Sequence, residues 1–169
     1  MVLAPRRRKI GGVGRSSLTP TLTGCGERAR QMGPDVGLET HIQDVLGVIA
    51  AEELTGVHLC GCSYGGMVIT GVCDRLRDRI ASVSHLQAAV PSDGLSMITQ
   101  SPGITPEGAA ATEAGLRALT LYGVAMQVFA DVMIYGVAAS DADEAWLPRR
   151  LTSHPLKTWF GPIRLTNGG

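Results

Sequence analysis

The chain has 169 residues, in which fifteen Lys and Arg side chains balance fifteen Asp and Glu side chains. This length predicts one domain, and the balanced charge argues against a global electrostatic field that would recruit nucleic acid or an anionic membrane. The longest apolar run, from about Ala118 to Ala130, is too short to span a bilayer. We therefore expect a soluble protein that binds neither nucleic acid nor a membrane.

The cysteines show neither the pattern of a secreted disulfide framework nor the ligand spacing of a zinc site. They lie at Cys25, Cys60, Cys62 and Cys73. We expect buried, reduced thiols that pack as small hydrophobic side chains, which agrees with a reducing compartment. The sequence thus predicts a cytoplasmic location and no metal site.

Residues 1–17 contain Gly11, Gly12 and Gly14 and show no periodicity, so an irregular N-terminal segment is expected. An α/β core is predicted over residues 18–90. It opens with a short strand over 18–23. Thr40 is the predicted N-cap of an amphipathic helix that reaches about Leu54, because apolar residues then recur at helical spacing.

The next stretch, residues 57–66, is a short apolar run that ends in Gly-x-Ser-x-Gly. A helical pattern follows at once, from about Gly66 to Leu76. This order is typical of a nucleophile elbow, in which a strand presents a serine on a sharp turn before a helix. Ser63 is the candidate nucleophile, and the backbone N–H of Tyr64 is the candidate donor to an oxyanion. Gly61 and Gly65 are expected to allow strand and helix to approach each other.

Residues 80–90 predict the next strand, which Pro91 closes. Strands that alternate with helices over short links indicate a mostly parallel, doubly wound sheet. Residues 91–160 change to a helical pattern, with helices expected over 107–139 and 141–151, and are interpreted as a lid region. Residues 161–169 are expected to form a C-terminal tail.

Several strings of the chain, in this order and spacing, resemble the α/β-hydrolase superfamily. The similarity is to the small esterases grouped with plant methylesterases and hydroxynitrile lyases, and to their bacterial relatives. The strings are PTLTGCGER (20–28), VGLETHIQDV (36–45), GCSYGGMVITGV (61–72), AAVPSDGLS (88–96) and RLTSHPLKTW (150–159). The resemblance implies a partial α/β-hydrolase fold and a serine esterase or lyase. Its substrates would be small carboxylic esters or cyanohydrins, and it would use no metal or organic cofactor.

The departures from the family pattern concern the groups that assist the serine. The family usually carries a His-Gly loop near its start, and residues 1–17 contain no histidine. The residue before the nucleophile is commonly His and here is Cys62, while Gln87 stands where the family often has Asp. The catalytic Asp and His of the family lie beyond the region that matches Trp159, where this chain offers ten more residues. Impaired turnover is therefore expected.

Other residues could stand in for the acid and the base. Asp141 or Asp143 followed by His154 satisfies the chain order Ser, Asp, His. Asp93 follows the strand after the elbow, at the sheet edge that faces the active site, although capping its own turn is the simpler interpretation.

The other histidines favour structural interpretations. His41 is expected to be a satisfied surface or packing residue, and His58 and His85 are expected to lie in strands.

The principal hypothesis is an α/β-hydrolase-like ester hydrolase of low activity. The alternative is a non-catalytic relative that binds a small ligand or a protein partner through the lid. A phosphate-binding loop is disfavoured because neither Gly-x-Gly-x-x-Gly nor Gly-Lys-Ser/Thr is present. Exposed edges of a parallel sheet also predict self-association.

Overall fold

A computed structural model describes residues 6–10, 15–126 and 148–167. The strands are β1 (Arg6–Ile10), β2 (Arg15–Thr19), β3 (Val57–Ser63), β4 (Ile80–Ala88), β5 (Thr120–Leu121), β6 (Ala125–Met126) and β7 (His154–Pro155). The helices are α1 (Leu38–Ala51), α2 (Gly65–Arg75), α3 (Pro106–Ala118) and α4 (Lys157–Phe160). Two 3₁₀ turns cover Gly26–Gln31 and Arg77–Arg79.

The centre of the molecule is the β3–α2–β4 unit, in which the two strands pair in parallel. Helix α2 packs against both strands, and α1 packs against α2. The core is formed mainly by apolar side chains of these elements: Leu38, Ile42, Ile49, Leu59, Met67, Val68, Ile69 and Val72. Burial of each larger side chain stabilises the fold by about 1.5–3 kcal/mol. The predicted parallel pairing of these two strands is confirmed.

The described strands outside this unit pair differently from the prediction of a mostly parallel sheet. β1 and β2 form an antiparallel pair, and β5, β6 and β7 form a small antiparallel sheet. Parallel pairing in the described part of the chain is therefore confined to β3 and β4. A parallel partner requires a long crossover, whereas the short links between β1 and β2 and between β5 and β6 permit only antiparallel pairing.

The N-terminal region is more regular than the sequence predicts. Residues expected to be irregular form β1 and the first part of β2, and β2 ends at Thr19 instead of continuing to Thr23. The three glycines that suggested irregularity fall between the two strands in sequence. The loop after β2 is fastened to α1, because the Asp44 carboxylate accepts hydrogen bonds from the N–H and the hydroxyl of Thr23, at 2.7 and 2.9 Å.

Helix α1 begins two residues before the predicted N-cap, Thr40. Gly37 is the N-cap, and its N–H donates to the Thr40 hydroxyl over 3.2 Å. Thr40 therefore lies inside the first turn, where its oxygen satisfies a backbone donor that the helix leaves free. The pattern placed the helix correctly but misplaced its first residue.

The face of β3 that points away from α2 is uncovered by the described residues. Cys60 and Cys62 are two residues apart and therefore share this face, and both are exposed. The expectation of buried thiols is wrong for this pair. Leu86 of β4 is 57% exposed. Within the described part of the chain β3 and β4 pair only with each other, and self-association through their edges stays a prediction.

The lid region is less helical than predicted as far as the structure describes it. Helix α3 ends at Ala118, and β5, a turn and β6 follow where the helix was expected to continue to residue 139. Residues 127–147, with Asp141 and Asp143, lie outside the described residues, and residues 148–150 form a turn. No described helix is long and apolar enough to cross a bilayer. The cytoplasmic location stays a prediction.

The segment predicted as a C-terminal tail packs against the core over residues 161–167. Ile163 is only 1% exposed and belongs to the core cluster. The buried carboxylate of Asp74 in α2 accepts hydrogen bonds from the backbone N–H groups of Thr166 and Asn167, each at 2.9 Å. These contacts hold the segment on the helix that follows Ser63. The boundaries of a separate lid stay a prediction.

Two glycines allow β3, α2 and the end of β4 to approach each other. A Cβ atom on Gly61 would lie 2.7 Å from the carbonyl oxygen of Gly65, and one on Gly66 would collide with the backbone of Ala89. A Cβ atom on Gly65 would meet nothing within 4 Å. The expectation for Gly61 is confirmed, but that for Gly65 is wrong, because Gly66 makes the second close contact.

We predict opposite outcomes for two neighbouring substitutions. Gly66→Ala should lower the free energy of unfolding by at least about 2 kcal/mol, because the Ala89 backbone cannot move away cheaply. Gly65→Ala, the matched control, should change it by less than about 1 kcal/mol, in the stabilising direction, because alanine favours the helix. Urea unfolding of both variants checks the pair, and equal losses would contradict the predicted contact.

Candidate active site

Ser63 lies at the junction of β3 and α2 in a conformation that serine rarely adopts. It is the last residue of β3, its side chain is exposed, and its φ is +50°. Tyr64 is already helical, with φ −56° and ψ −28°, and is the N-cap of α2. A left-handed residue of this kind costs about 1–2 kcal/mol and is often found at active sites. The strand, turn and helix of the predicted elbow are thus all present.

Backbone contacts hold the turn from both sides. The carbonyl oxygen of Ser63 accepts a hydrogen bond from the N–H of Ala89, and that of Tyr64 accepts one from the N–H of Met67, each at 3.0 Å. The first N–H groups of an α-helix have no partner within the helix, and its N-terminal end favours negative charge. Negative charge that develops on a substrate oxygen beside Ser63 would therefore be stabilised by this end of the helix.

A second strained residue lies opposite the elbow. Gln87 has φ +44°, and the β3–β4 register shifts there, so that Cys62 pairs with Leu86 but Ser63 pairs with Ala88. Gln87 is therefore the extra residue of a β-bulge, a feature that is frequent beside active sites. Its side chain is exposed at the same end of the sheet as Ser63.

None of the four histidines of the sequence bonds to the Ser63 hydroxyl. His58 contacts the Ser82 hydroxyl at 2.7 Å, and His85 contacts the Thr70 hydroxyl at 3.2 Å. Both lie in strands, as predicted. His41 and His154 are engaged in the cluster described next. Within the described residues the serine has no imidazole as a proton acceptor.

A buried polar cluster lies under the elbow and joins segments that are far apart in sequence. His41 is 0% exposed, and its Nε2 lies 2.8 Å from the carbonyl oxygen of Thr23. Its Nδ1 lies 3.0 Å from the Tyr64 hydroxyl. A carbonyl oxygen only accepts, so Nε2 carries the proton and the Tyr64 O–H donates to Nδ1. The expectation of a satisfied packing histidine is confirmed for His41.

His154 belongs to the same cluster. Its Nε2 lies 2.8 Å from the Thr158 hydroxyl, which donates to the carbonyl oxygen of Pro155 at 2.6 Å. Its Nδ1 lies 3.9 Å from the sulfur of Cys25. The His154 ring meets the Tyr64 ring edge to face, with centroids 5.0 Å apart. We name Cys25, His41, Tyr64, His154 and Thr158 the elbow cluster.

Burial changes the ionisation of the elbow cluster. Burial lowers the pKa of His41, and the hydrogen bond to the Thr23 carbonyl partly offsets this change. Burial and the neighbouring His41 lower the pKa of His154 to about 4. Burial raises the pKa of the Tyr64 phenol and of the Cys25 thiol, each with a further contribution from Asp44 among its neighbours. Both imidazoles are therefore neutral at pH 7, and Cys25 is a thiol.

The stand-in residues are not brought together around Ser63. His154 bonds within the elbow cluster, as described above. Asp93 is exposed, and its carboxylate accepts a hydrogen bond from the N–H of Leu165 at 2.8 Å, so it fastens the C-terminal segment and does not contact a histidine. Asp143 lies outside the described residues.

The elbow cluster was missed by sequence reasoning because its members share no local pattern. His41, Tyr64 and His154 are separated by 23 and 90 residues. One signal was available, since each of the family-like strings over 20–28, 36–45, 61–72 and 150–159 contributes at least one member. A buried cluster built from several such strings could have been suspected from their polar residues.

The described residues contain no group of three or more His, Cys, Asp or Glu side chains that could hold a metal ion. A mostly apolar cavity of about 480 Å³ is lined in part by residues next in sequence to members of the elbow cluster. Gly24, Met32, Tyr122, Val124 and Leu151 are among its lining residues, and Ser63 is not. The expected independence from metal and cofactor stays a prediction.

Comparison with known proteins agrees with this geometry. The profile of the α/β-hydrolase family matches residues 4–167. The chain belongs to this family. A carbendazim hydrolyzing esterase of Nocardioides sp. (strain SG-4G) is 44% identical over 160 residues, which are 92% of this chain and 64% of that esterase. This α/β-hydrolase therefore spans less than two thirds of its curated relative.

Solved structures support the fold. An extracellular α/β-hydrolase from a Paenibacillus species superposes with a TM-score of 0.70 at 21% identity, over 89% of this chain and 60% of that one. A crystal structure of PytH superposes with a TM-score of 0.52 at 18% identity, over 75% of this chain and 51% of that one. The expected partial α/β-hydrolase fold is thus confirmed.

The left-handed conformation of Ser63 gives a stability prediction. Ser63→Gly and Ser63→Ala both remove the hydroxyl, but only glycine adopts φ +50° without a steric cost. Ser63→Gly should be more stable than Ser63→Ala by about 1 kcal/mol. Urea unfolding measures the difference, and an equal or more stable alanine variant would show that the turn is not strained in solution.

The lowered pKa of His154 gives a pH prediction. Its folded pKa of about 4 lies below the ordinary 6.5, so between these values the unfolded chain binds more protons. Stability should fall as the pH is lowered from 6.5 towards 4, by about 3 kcal/mol in total for this residue. Unfolding by urea at several pH values checks this.

Two variants separate the source of that pH dependence. His154→Gln should flatten the fall in stability, leaving the smaller part that comes from His41. His58→Gln is the matched control, because His58 is exposed and lies outside the elbow cluster, and it should keep the wild-type profile. A flattened profile in both variants would contradict the assignment to His154.

Proposed function

We propose that this α/β-hydrolase is a serine hydrolase of small carboxylic esters, with Ser63 as nucleophile and the Tyr64 N–H as one donor to the oxyanion. The observation that carries the proposal is the exposed, left-handed Ser63 at the N-terminal end of α2. The esterase that is 44% identical supports the reaction class.

The reaction would proceed by acyl transfer. The Ser63 oxygen attacks the ester carbonyl carbon, and the negative charge that forms on the carbonyl oxygen is stabilised by the Tyr64 N–H and the α2 dipole. Collapse of this adduct expels the alcohol, which takes up a proton, and leaves an acyl-serine. Water then attacks the acyl-serine, releases the acid and restores the hydroxyl.

The least favourable step of this reaction is removal of the proton from the serine hydroxyl. A serine hydroxyl is a poor nucleophile without an adjacent base, and the histidines of this chain bond elsewhere. Enzymes of this type that lose a triad member retain about 10³- to 10⁴-fold acceleration over water. We propose low turnover by the 169-residue chain, because no imidazole of the described residues is placed to accept the proton.

We infer the compounds to test from the esterase that is 44% identical. That esterase hydrolyses carbendazim, so carbendazim and short activated esters are the first compounds to test. Binding without turnover, through the lid region, is the alternative that a complete lack of reactivity at Ser63 would support.

We predict that a fluorophosphonate probe labels the wild-type chain slowly and that Ser63→Ala abolishes the labelling. Ser84→Ala is the matched control, because Ser84 is also exposed but lies in the middle of β4. It should label like the wild type. Mass spectrometry of the labelled peptide locates the adduct. Labelling that survives Ser63→Ala would contradict the assignment.

A further inference from the structure

We propose that the elbow cluster is a positioning device, in which the Tyr64 hydroxyl bound to neutral His41 holds the residue after the nucleophile and thereby fixes the geometry of Ser63. The inference rests on the proposed function, because it assigns a role in that same site. Its geometric part is testable without activity.

The first argument concerns attachment. Tyr64 is bonded to Ser63 through the backbone and carries the candidate oxyanion donor, and its side chain is buried. Its hydroxyl is held by His41 of α1, whose other ring nitrogen is held by the Thr23 carbonyl. A rotation of the turn that relieved the φ of Ser63 would move the Tyr64 ring and break this bond.

The second argument concerns redundancy. Thr23 is itself fastened to α1 by Asp44, which also pairs with Arg28 at 2.7 Å. On the opposite side the Tyr64 ring packs against His154, which is held by Thr158. Three segments outside the elbow, namely the loop after β2, α1 and the β7–α4 junction, therefore converge on one tyrosine. Strained active-site conformations persist when the surroundings over-determine them in this way.

The third argument concerns protons. The order of donors is fully specified: Tyr64 donates to His41, His41 to Thr23, His154 to Thr158, and Thr158 to Pro155. A proton added to Nδ1 of His41 would face the donor hydrogen of Tyr64 and would displace it. The groups around His41 are Thr23, Arg28, Asp44, Tyr64 and His154, of which Asp44 favours the added proton and Arg28 opposes it. The bond between Tyr64 and His41 therefore forms only when His41 is neutral.

The decisive experiment measures hydrogen exchange at the Ala89 amide, which bonds to the Ser63 carbonyl. At pH 7, Tyr64→Phe and His41→Gln should each raise its exchange rate about 10-fold, the effect of losing roughly one net hydrogen bond. His85→Gln is the control, because His85 is a half-buried residue of β4 outside the elbow cluster. It should leave the ratio of the Ala89 exchange rate to the global unfolding rate unchanged. Unchanged exchange in Tyr64→Phe and His41→Gln would overturn the proposal.

The catalytic part is measured separately as the second-order rate of fluorophosphonate labelling. Tyr64→Phe should lower it about 10-fold while the folded fraction, followed by circular dichroism, remains that of the wild type. Wild-type labelling should also fall when acid protonates His41, at a pH below the ordinary histidine pKa of 6.5, together with the loss of the neutral His41 signal in ¹⁵N spectra. Equal labelling of Tyr64→Phe and wild type would overturn the positioning role.

The two proposals fail differently. If no variant, including the wild type, is labelled but the Ala89 exchange responds as expected, Ser63 is not a nucleophile and the cluster still holds the turn. If labelling depends on Ser63 but exchange and labelling ignore Tyr64→Phe, the hydrolase assignment stands and the positioning role is wrong. His41→Asn offers a second variant should His41→Gln not fold.

Discussion

The structure depends on one constraint, the sharp passage of the chain from β3 into α2 through a left-handed serine. This turn is possible only because Gly61 and Gly66 remove the side chains that would otherwise collide with α2 and with the end of β4. The same turn exposes Ser63 while it buries Tyr64. Packing of the central unit and presentation of the candidate nucleophile are therefore consequences of a single backbone geometry.

Hydrogen bonds on both sides hold the turn that the two glycines make possible. The backbone of Ala89 holds the Ser63 carbonyl on one side, and the elbow cluster holds the Tyr64 side chain on the other. A buried neutral cluster of this kind is stable only when every donor has an acceptor, because an unsatisfied buried group costs about 1–3 kcal/mol. Within the cluster the inferred donor order meets this condition, which explains why two histidines can be buried beside a tyrosine.

The site is better organised for placing a nucleophile than for activating it. The hydroxyl, the helix N-terminus and the adjacent N–H are present, whereas each imidazole of the chain is committed to another partner. Membership in the α/β-hydrolase family is shown, and the 44% identity to an esterase supports the proposed ester hydrolysis. The proposal of low turnover rests on the weak nucleophilicity of a serine that no imidazole of the described residues assists.

The sequence by itself determined the central unit and the turn at Ser63, because local patterns specify them: an apolar run, Gly-x-Ser-x-Gly and a helical stripe. The role of Ser63 as nucleophile stays a prediction. It also indicated the family through strings spread over most of the chain. Short-range signals misplaced the start of α1, where Thr40 bonds to the N-cap Gly37 instead of being the N-cap. They also failed for the β1–β2 pair and for the end of α3, where pairing between strands decides the boundaries.

Only the tertiary structure decided what the polar residues do. Gly66, and not Gly65, makes the close contact with Ala89. Ala89 is 23 residues away in sequence, so no local pattern could predict this contact. Asp93 fastens the C-terminal segment, and His41, Tyr64 and His154 meet in one cluster, because segments distant in sequence pack together. Hydrogen-bond partners across such distances leave no periodicity in the sequence, so the roles of these side chains become visible only in the folded chain.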